Sequence, residues 1–411
     1  MNDDFEELWD GLAPLGRNRA TGGYRRYSWG PADTEARAWF TSAARARGLG
    51  VETDRNGNLW AWWGEPGPDA VVTGSHLDSV PDGGAYDGPL GVVGGLAAID
   101  ELRRRGLRPR RPVAVAVFVE EEGARFGVPC LGSRLLTGAI APERACALTD
   151  ADGVTWSRAM EGAGLDPERM GADHELIGRI GAFVELHIEQ GRSLACTGDP
   201  VGAASAVWPH GRWRLDFAGQ ADHAGTTRLV DRRDPMLPFA AAVQEARRAA
   251  EEHDALATVG KVRVSPNGTN AVPSRVRAWL DARAADEAAL RAVVDRVDTA
   301  ARGSAADHGV AVTAYLESTS PLVEFDHRLR DRIAERAGGG SGAVPLLTTG
   351  AGHDAGVLAN TVPTAMLFVR NPTGVSHAPG ESATAADCRA GITALADVLA
   401  DLADAAPPEQ A

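Results

Sequence analysis

Residues 112–119, PVAVAVFV, form one continuous apolar run, and three glutamates follow it without a break. A β-branched run with no polar alternation suits a strand covered on both faces, as in the sheet of an α/β protein. The flanking pattern agrees. Residues 32–48 read as a helix closing at Gly48, 70–75 as a short buried strand, 91–105 as a helix and 182–188 (AFVELHI) as another strand. The middle of the chain changes style. Residues 212–219, 257–264, 274–283 and 310–318 alternate like half-exposed strands, with helical patterns over 236–253 and 285–303. The order β-α-β-β-α-β is that of a ferredoxin-like unit. Its sheet has one helix-covered face and one open face, suited to pairing with a second subunit.

After residue 325 the α/β style returns, with a helix, the segment PLLTTGAGHDA, a strand TAMLFV, a loop and a last helix over 383–404. A chain of 411 residues is too long for one compact core. The expected organisation is a discontinuous catalytic domain, 1–205 and 320–411, interrupted by a dimerisation or lid domain over 206–319. The terminal APPEQA is expected to fray.

Composition narrows the function. A net charge of −14 leaves no electrostatic footprint for nucleic acid. No apolar run reaches the ~18 residues of a membrane span. The opening MNDDFEELWDGL is acidic, unlike a secretory signal. Cys130, Cys146, Cys196 and Cys388 are far apart and form no C-x-x-C pair, so neither a disulfide framework nor a cysteine zinc site is expected. These features describe a cytoplasmic enzyme or binding protein.

Four places carry candidate chemistry. His76 ends a predicted strand, and Asp87 follows after a glycine-rich loop; strand ends are where α/β folds build their sites. Glu120, Glu121 and Glu122 end the apolar run, where consecutive carboxylates are costly unless a cation neutralises them. One of the three reads as a metal ligand and a neighbour as general base. His187 lies inside a strand, and His377 lies in a loop after one. Mixed His/carboxylate ligation suits zinc, manganese, cobalt or nickel better than calcium. The run GPLGVVGGL (88–96) lacks the G-x-G-x-x-G spacing of a dinucleotide loop, and no G-x-S-x-G elbow occurs.

SHLDSVPDGGAYDGPLG, EEGARFG, ELHIEQG, GQADHAGTT, GAGHDA and GVSHAPGE occur in that order. In these motifs the chain resembles the hydantoinase/carbamoylase amidase family. That family includes allantoate amidohydrolases, N-carbamoyl-L-amino acid hydrolases and β-ureidopropionases, within the aminoacylase/carboxypeptidase-type metallopeptidase superfamily. The resemblance implies a zinc-peptidase-like α/β catalytic domain carrying two divalent ions, zinc or manganese first, cobalt or nickel next. His76, Asp87 and His187 would hold one ion, and Asp87, Glu122 and His377 the other. Glu121 would be the general base, and His223 would act across the subunits of a homodimer on the scissile carbonyl. Asn270 and Arg283 would bind the substrate carboxylate, with Gln190, His353 and Arg232 as further contacts. A small ureido acid is the implied substrate, allantoate first, then N-carbamoyl-L-amino acids and N-formyl or N-formimino amino acids. The competing readings are a peptidase of the same superfamily and a non-catalytic dimeric binding protein. The chain departs from the family's usual wording at Arg228–Leu229 and at Arg370–Asn371.

Overall fold

The computed structural model describes residues 3–406, so of the terminal APPEQA only Ala406 lies within the described residues. The chain divides into two compact units, residues 1–205 with 324–411 and residues 206–323. Among the described residues, no helix is long and apolar enough to cross a membrane.

The first unit is built on a nine-stranded sheet. Its centre is four parallel strands in the order Val113–Phe118, Ala70–His76, Ile180–Ile188 and Thr364–Val369. Every residue of Val113–Phe118 is buried, as the unbroken apolar run requires. Helices Pro89–Arg104 and Ala385–Leu402 pack together, and Leu90, Leu96, Leu395 and Leu399 share one core with Val71, Val115, Val184 and Leu186. Gly91, Gly94 and Gly95 serve this packing. A Cβ on Gly91 would lie 2.3 Å from the Leu186 carbonyl oxygen, so only glycine lets the helix sit this close to the sheet.

Several elements had no counterpart in the sequence reading. A hairpin, Gly50–Thr53 with Leu59–Trp63, extends the sheet beyond Val113–Phe118. The strand Val201–Val207 runs antiparallel to Thr364–Val369 on the other side. Short helices Leu131–Thr137, Pro142–Cys146 and Trp156–Gly162 follow the glutamates.

The second unit is a four-stranded antiparallel sheet in the order Ala311–Ser320, His210–Ala218, Arg275–Arg283, Leu256–Ser265. With helices Met236–Glu252 and Glu287–Asp307 this is the ferredoxin-like βαββαβ topology. Along Arg275–Arg283 the alternation is clean. Val276, Ala278, Leu280 and Ala282 are buried with Leu290, Val297 and Ala301, while Arg277, Trp279, Asp281 and Arg283 take the other face.

Candidate metal centre

The four central strands end side by side, and each delivers a site residue at or just after its carboxyl end. His76 closes Ala70–His76 and pairs in register with Phe118. The glutamates follow Phe118, His187 is the penultimate residue of Ile180–Ile188, and the His377 loop follows Val369.

Asp87 is the centre. Its Oδ1 lies 3.2 Å from His187 Nε2 and 3.5 Å from His76 Nε2. Its Oδ2 lies 3.4 Å from His377 Nε2, which is also 3.4 Å from Glu122 Oε2. The two oxygens thus face two different groups, His76–His187 on one side and Glu122–His377 on the other. Each set has ligand atoms within 4.8 Å of one another. Glu121 Oε2 stands 3.6 Å from His76 Nε2.

The His76 and His187 rings are both oriented through Nδ1. His76 Nδ1 is 3.0 Å from the Asp78 carbonyl oxygen and His187 Nδ1 is 2.9 Å from that of Ile188. An Nδ1–H donating to a carbonyl leaves the Nε2 lone pair free. Both Nε2 atoms are buried without a hydrogen bond, which is costly in an empty pocket and natural at a metal. The charge balance points the same way. Burial, then repulsion from Asp87, pushes the Glu122 carboxyl up to about 8. Burial pushes Glu121 well above the usual carboxylate range. Burial also opposes the charge on Asp87, yet His187, His76 and His377 hold it well below its ordinary value. The ion-pair partners of Asp87, Glu121 and Glu122 are histidines. Divalent cations would relieve this surplus of buried negative charge, and the donor set fits them.

Other predicted residues fall into place differently. The Gln190 amide donates to Asp87 Oδ2 at 2.6 Å, beside Ser376 Oγ, which donates to the same oxygen at 3.2 Å. His353 is buried, its ring 4.5 Å from that of His187, and burial keeps its pKa well below the ordinary value. A third group, Glu185–His187–His353, also clusters. Glu185 accepts from Ser75 Oγ at 2.6 Å and from the Ala355 amide at 3.0 Å, so both its oxygens are taken and it braces the strands. Glu120 turns back on its own loop and accepts from the Arg125 and Phe126 amides.

Three residues with no role in the sequence reading order this centre. Buried Asp78 accepts from the Glu121 and Glu122 amides at 3.2 and 3.1 Å and fixes the turn that carries both. Glu381 accepts from the Tyr86 and Asp87 amides at 2.8 and 3.0 Å. Asn371 is fully buried, and its side-chain oxygen accepts from the Thr373 and Gly374 amides, shaping the loop that ends in His377. Arg370 beside it binds Asp387 at 2.7 Å. The departure at Arg370–Asn371 is therefore an ordered loop anchor.

In the second unit, His223 and Asn270 come together. Asp222–His223 pairs with Ala271–Val272, and the Ala224 amide donates to the Asn270 carbonyl at 3.0 Å. The Gly225 amide donates to His223 Nδ1 at 2.9 Å, so a neutral ring carries its proton on exposed Nε2, as a donor. Arg232 donates to the Ala224 and Thr227 carbonyls and fastens this loop. Arg283 is elsewhere. It closes the far end of Arg275–Arg283, a nine-residue strand whose near end adjoins the Asn270 segment. Eight residue steps of strand cover roughly 27 Å. Asn270 and Arg283 of one chain therefore do not meet on one carboxylate. Arg283 itself donates to both oxygens of Asp281, at 2.8 and 3.2 Å.

The sequence pattern of peptidase family M20/M25/M40 matches residues 72–401. The chain belongs to this family. Its members are divalent-metal hydrolases of carbon–nitrogen bonds. Within it, the chain is 37% identical to the N-carbamoyl-L-amino acid amidohydrolase of Geobacillus stearothermophilus, over 97% of this chain and 98% of that one. It is 32% identical to the allantoate amidohydrolase of Escherichia coli, over 97% of each. An amidase of the hydantoinase/carbamoylase family from Burkholderia vietnamiensis superposes with a TM-score of 0.88 at 32% identity, over 98% of each chain. The resemblance read from the six motifs is borne out, and the chain is an amidohydrolase of the allantoate/N-carbamoyl amino acid group.

Proposed function

We propose that this protein hydrolyses the carbamoyl C–N bond of an N-carbamoyl-L-amino acid, with allantoate as the second substrate to test. The observation that carries the reading is the split carboxylate of Asp87, with Glu121 beside it. Relatives named for both substrates match, an N-carbamoyl-L-amino acid amidohydrolase at 37% identity and an allantoate amidohydrolase at 32%, so both belong in the test. His76, Asp87 and His187 would hold one ion and Asp87, Glu122 and His377 the other, zinc or manganese in each. Bound there, the metals supply Lewis-acid polarisation and a water of lowered pKa.

The chain's own groups do the rest. Glu121 takes the proton of the attacking water and delivers it to the leaving nitrogen. His223 Nε2–H is a donor for the carbonyl oxygen as it gains charge. Arg283 binds the substrate carboxylate as a planar fork, and Asn270 adds an amide. Because Asn270 and His223 share one end of the second unit and Arg283 the other, we propose that a homodimer combines them. His223 and Asn270 would come from one subunit and Arg283 from the other. Arg232 serves by holding the His223 loop, and Gln190 and His353 line the metal side. The proposed setting is the cytoplasm.

The test is ammonia release by enzyme reconstituted with zinc, manganese, cobalt or nickel. N-carbamoyl-L-amino acids are expected to turn over, allantoate more slowly, and dipeptides not at all. Cleavage of N-formyl-L-glutamate, N-formimino-L-glutamate or a dipeptide with silence on ureido acids would overturn the substrate reading and keep the metal centre. The dimer has its own check. His223→Ala and Glu121→Gln homodimers are each expected to be nearly inactive. Random exchange makes half the dimers hybrid with one complete site each, so activity should recover to about a quarter of normal. No recovery despite demonstrated exchange would sink the role across subunits.

A further inference from the structure

The carboxylate of Glu121 has two oxygens in different settings. Oε2 stands 3.6 Å from His76 Nε2, on the side of the metal-ligand cluster. Oε1 has a different partner: the thiol of Cys130 donates to it at 3.3 Å. Both residues are buried.

The contact is built by a backbone clamp. The Cys130 amide donates to the Glu121 carbonyl at 2.7 Å, Leu131 to Glu120 at 3.1 Å and Gly132 to Val119 at 2.9 Å. Cys130 itself is left-handed, at φ 53° and ψ 37°, just before helix Leu131–Thr137. This conformation is uncommon for a residue with a side chain. It is held by the clamp, and it leaves the thiol on the glutamate. The terminal torsion of a glutamate is broad and roughly two-fold, so the side chain alone does not decide how its oxygens face. A single donor on Oε1 decides it. An aliphatic side chain would fill the same space and supply no donor.

We propose that Cys130 is a positioning residue: its thiol holds Oε1 of Glu121 and keeps Oε2 turned toward the metal-ligand cluster. The proposal rests on Glu121 being the base. A thiol is a weak donor, so the effect is modest beside loss of the base itself.

The experiment compares Cys130→Ala, Cys130→Ser, Glu121→Gln and the Cys130→Ala/Glu121→Gln double variant as metal-loaded full-length enzymes. Turnover is measured on the ureido acid cleaved fastest by the wild type. Cys130→Ala should lower kcat about tenfold, the scale of one lost hydrogen bond to a charged group, with KM and metal content unchanged. Cys130→Ser restores a donor and should recover most of that loss. In the Glu121→Gln background, Cys130→Ala should cost nothing further. Wild-type kcat in Cys130→Ala would overturn the proposal, as would equal losses in the alanine and serine variants. Near-normal kcat in Glu121→Gln would instead overturn the base assignment, a separate failure. A readout free of turnover is the infrared S–H stretch, assigned by difference against Cys130→Ala. It should lie below the frequency of an unbonded thiol and move in Glu121→Gln. A band at the unbonded position would overturn the contact.

Discussion

Glu121→Gln should lose about a thousandfold in kcat while retaining its full complement of metal. The magnitude is that of a missing general base, typically 10²- to 10⁴-fold, and a thousandfold is about 4 kcal/mol of barrier. The expectation that metal stays has a geometric ground. The two groups that close around Asp87 are His76 with His187 and Glu122 with His377, and Glu121 belongs to neither. Glutamine keeps the shape and the Oε1 acceptor, so the Cys130 contact and the clamp on the turn persist. What is removed is the capacity to take a proton from water and return it. Metal analysis and kcat on the same preparation make the check. A variant with normal metal and near-normal turnover would mean that another group carries the proton.

Part of the candidate metal-ligand set stood out because it lies at or near the end of apolar runs, where a charged or imidazole side chain is unusual, whereas Asp87 and His377 lie in loops. His76, the glutamates and His187 are of this kind, and the strand order brings their ends together. The residues that hold them were not legible, because their partners are remote in sequence. Glu381 accepts from an amide 294 residues away, and Asp78 from amides 43 and 44 residues away. Nothing in a local window distinguishes such a carboxylate from a surface one. The choice between Glu120, Glu121 and Glu122 rests on backbone geometry in the same way. Glu120 has φ 57° and folds onto its own loop, which turns the next two outward to the cluster. The hairpin strand LWAWW escaped notice because its aromatic run lacks the alternation that marks a strand with one wet face. The split between Asn270 and Arg283 was hidden for the opposite reason. They are thirteen positions apart in sequence, and only the strand between them shows that they lie at opposite ends.

Asp87→Asn should abolish metal-dependent stabilisation and, with it, activity. One carboxylate presents an oxygen to each ligand group, so a neutral amide weakens both sites at once. Protein that binds metal in the folded state only gains about 3–4 kcal/mol when the free metal is 100- to 1000-fold above its Kd. The wild-type thermal midpoint should therefore rise by several degrees on adding zinc or manganese, and that of Asp87→Asn should stay where it is. Without metal the variant should also differ. Asp87 is one of the charges that push Glu122 up, but His187, His76 and His377 hold its own carboxylate well below the ordinary pKa, so its ionised form stabilises the fold near neutral pH. Replacing it with asparagine removes those pairings and leaves the buried histidines without their carboxylate. Metal-free Asp87→Asn should then unfold earlier than the metal-free wild type. Calorimetry with and without metal separates the two effects. If Asp87→Asn still binds two ions with wild-type affinity, the aspartate does not bridge them. If metal-free Asp87→Asn is as stable as the metal-free wild type, the pairing with His187 and His76 contributes nothing to the fold without metal.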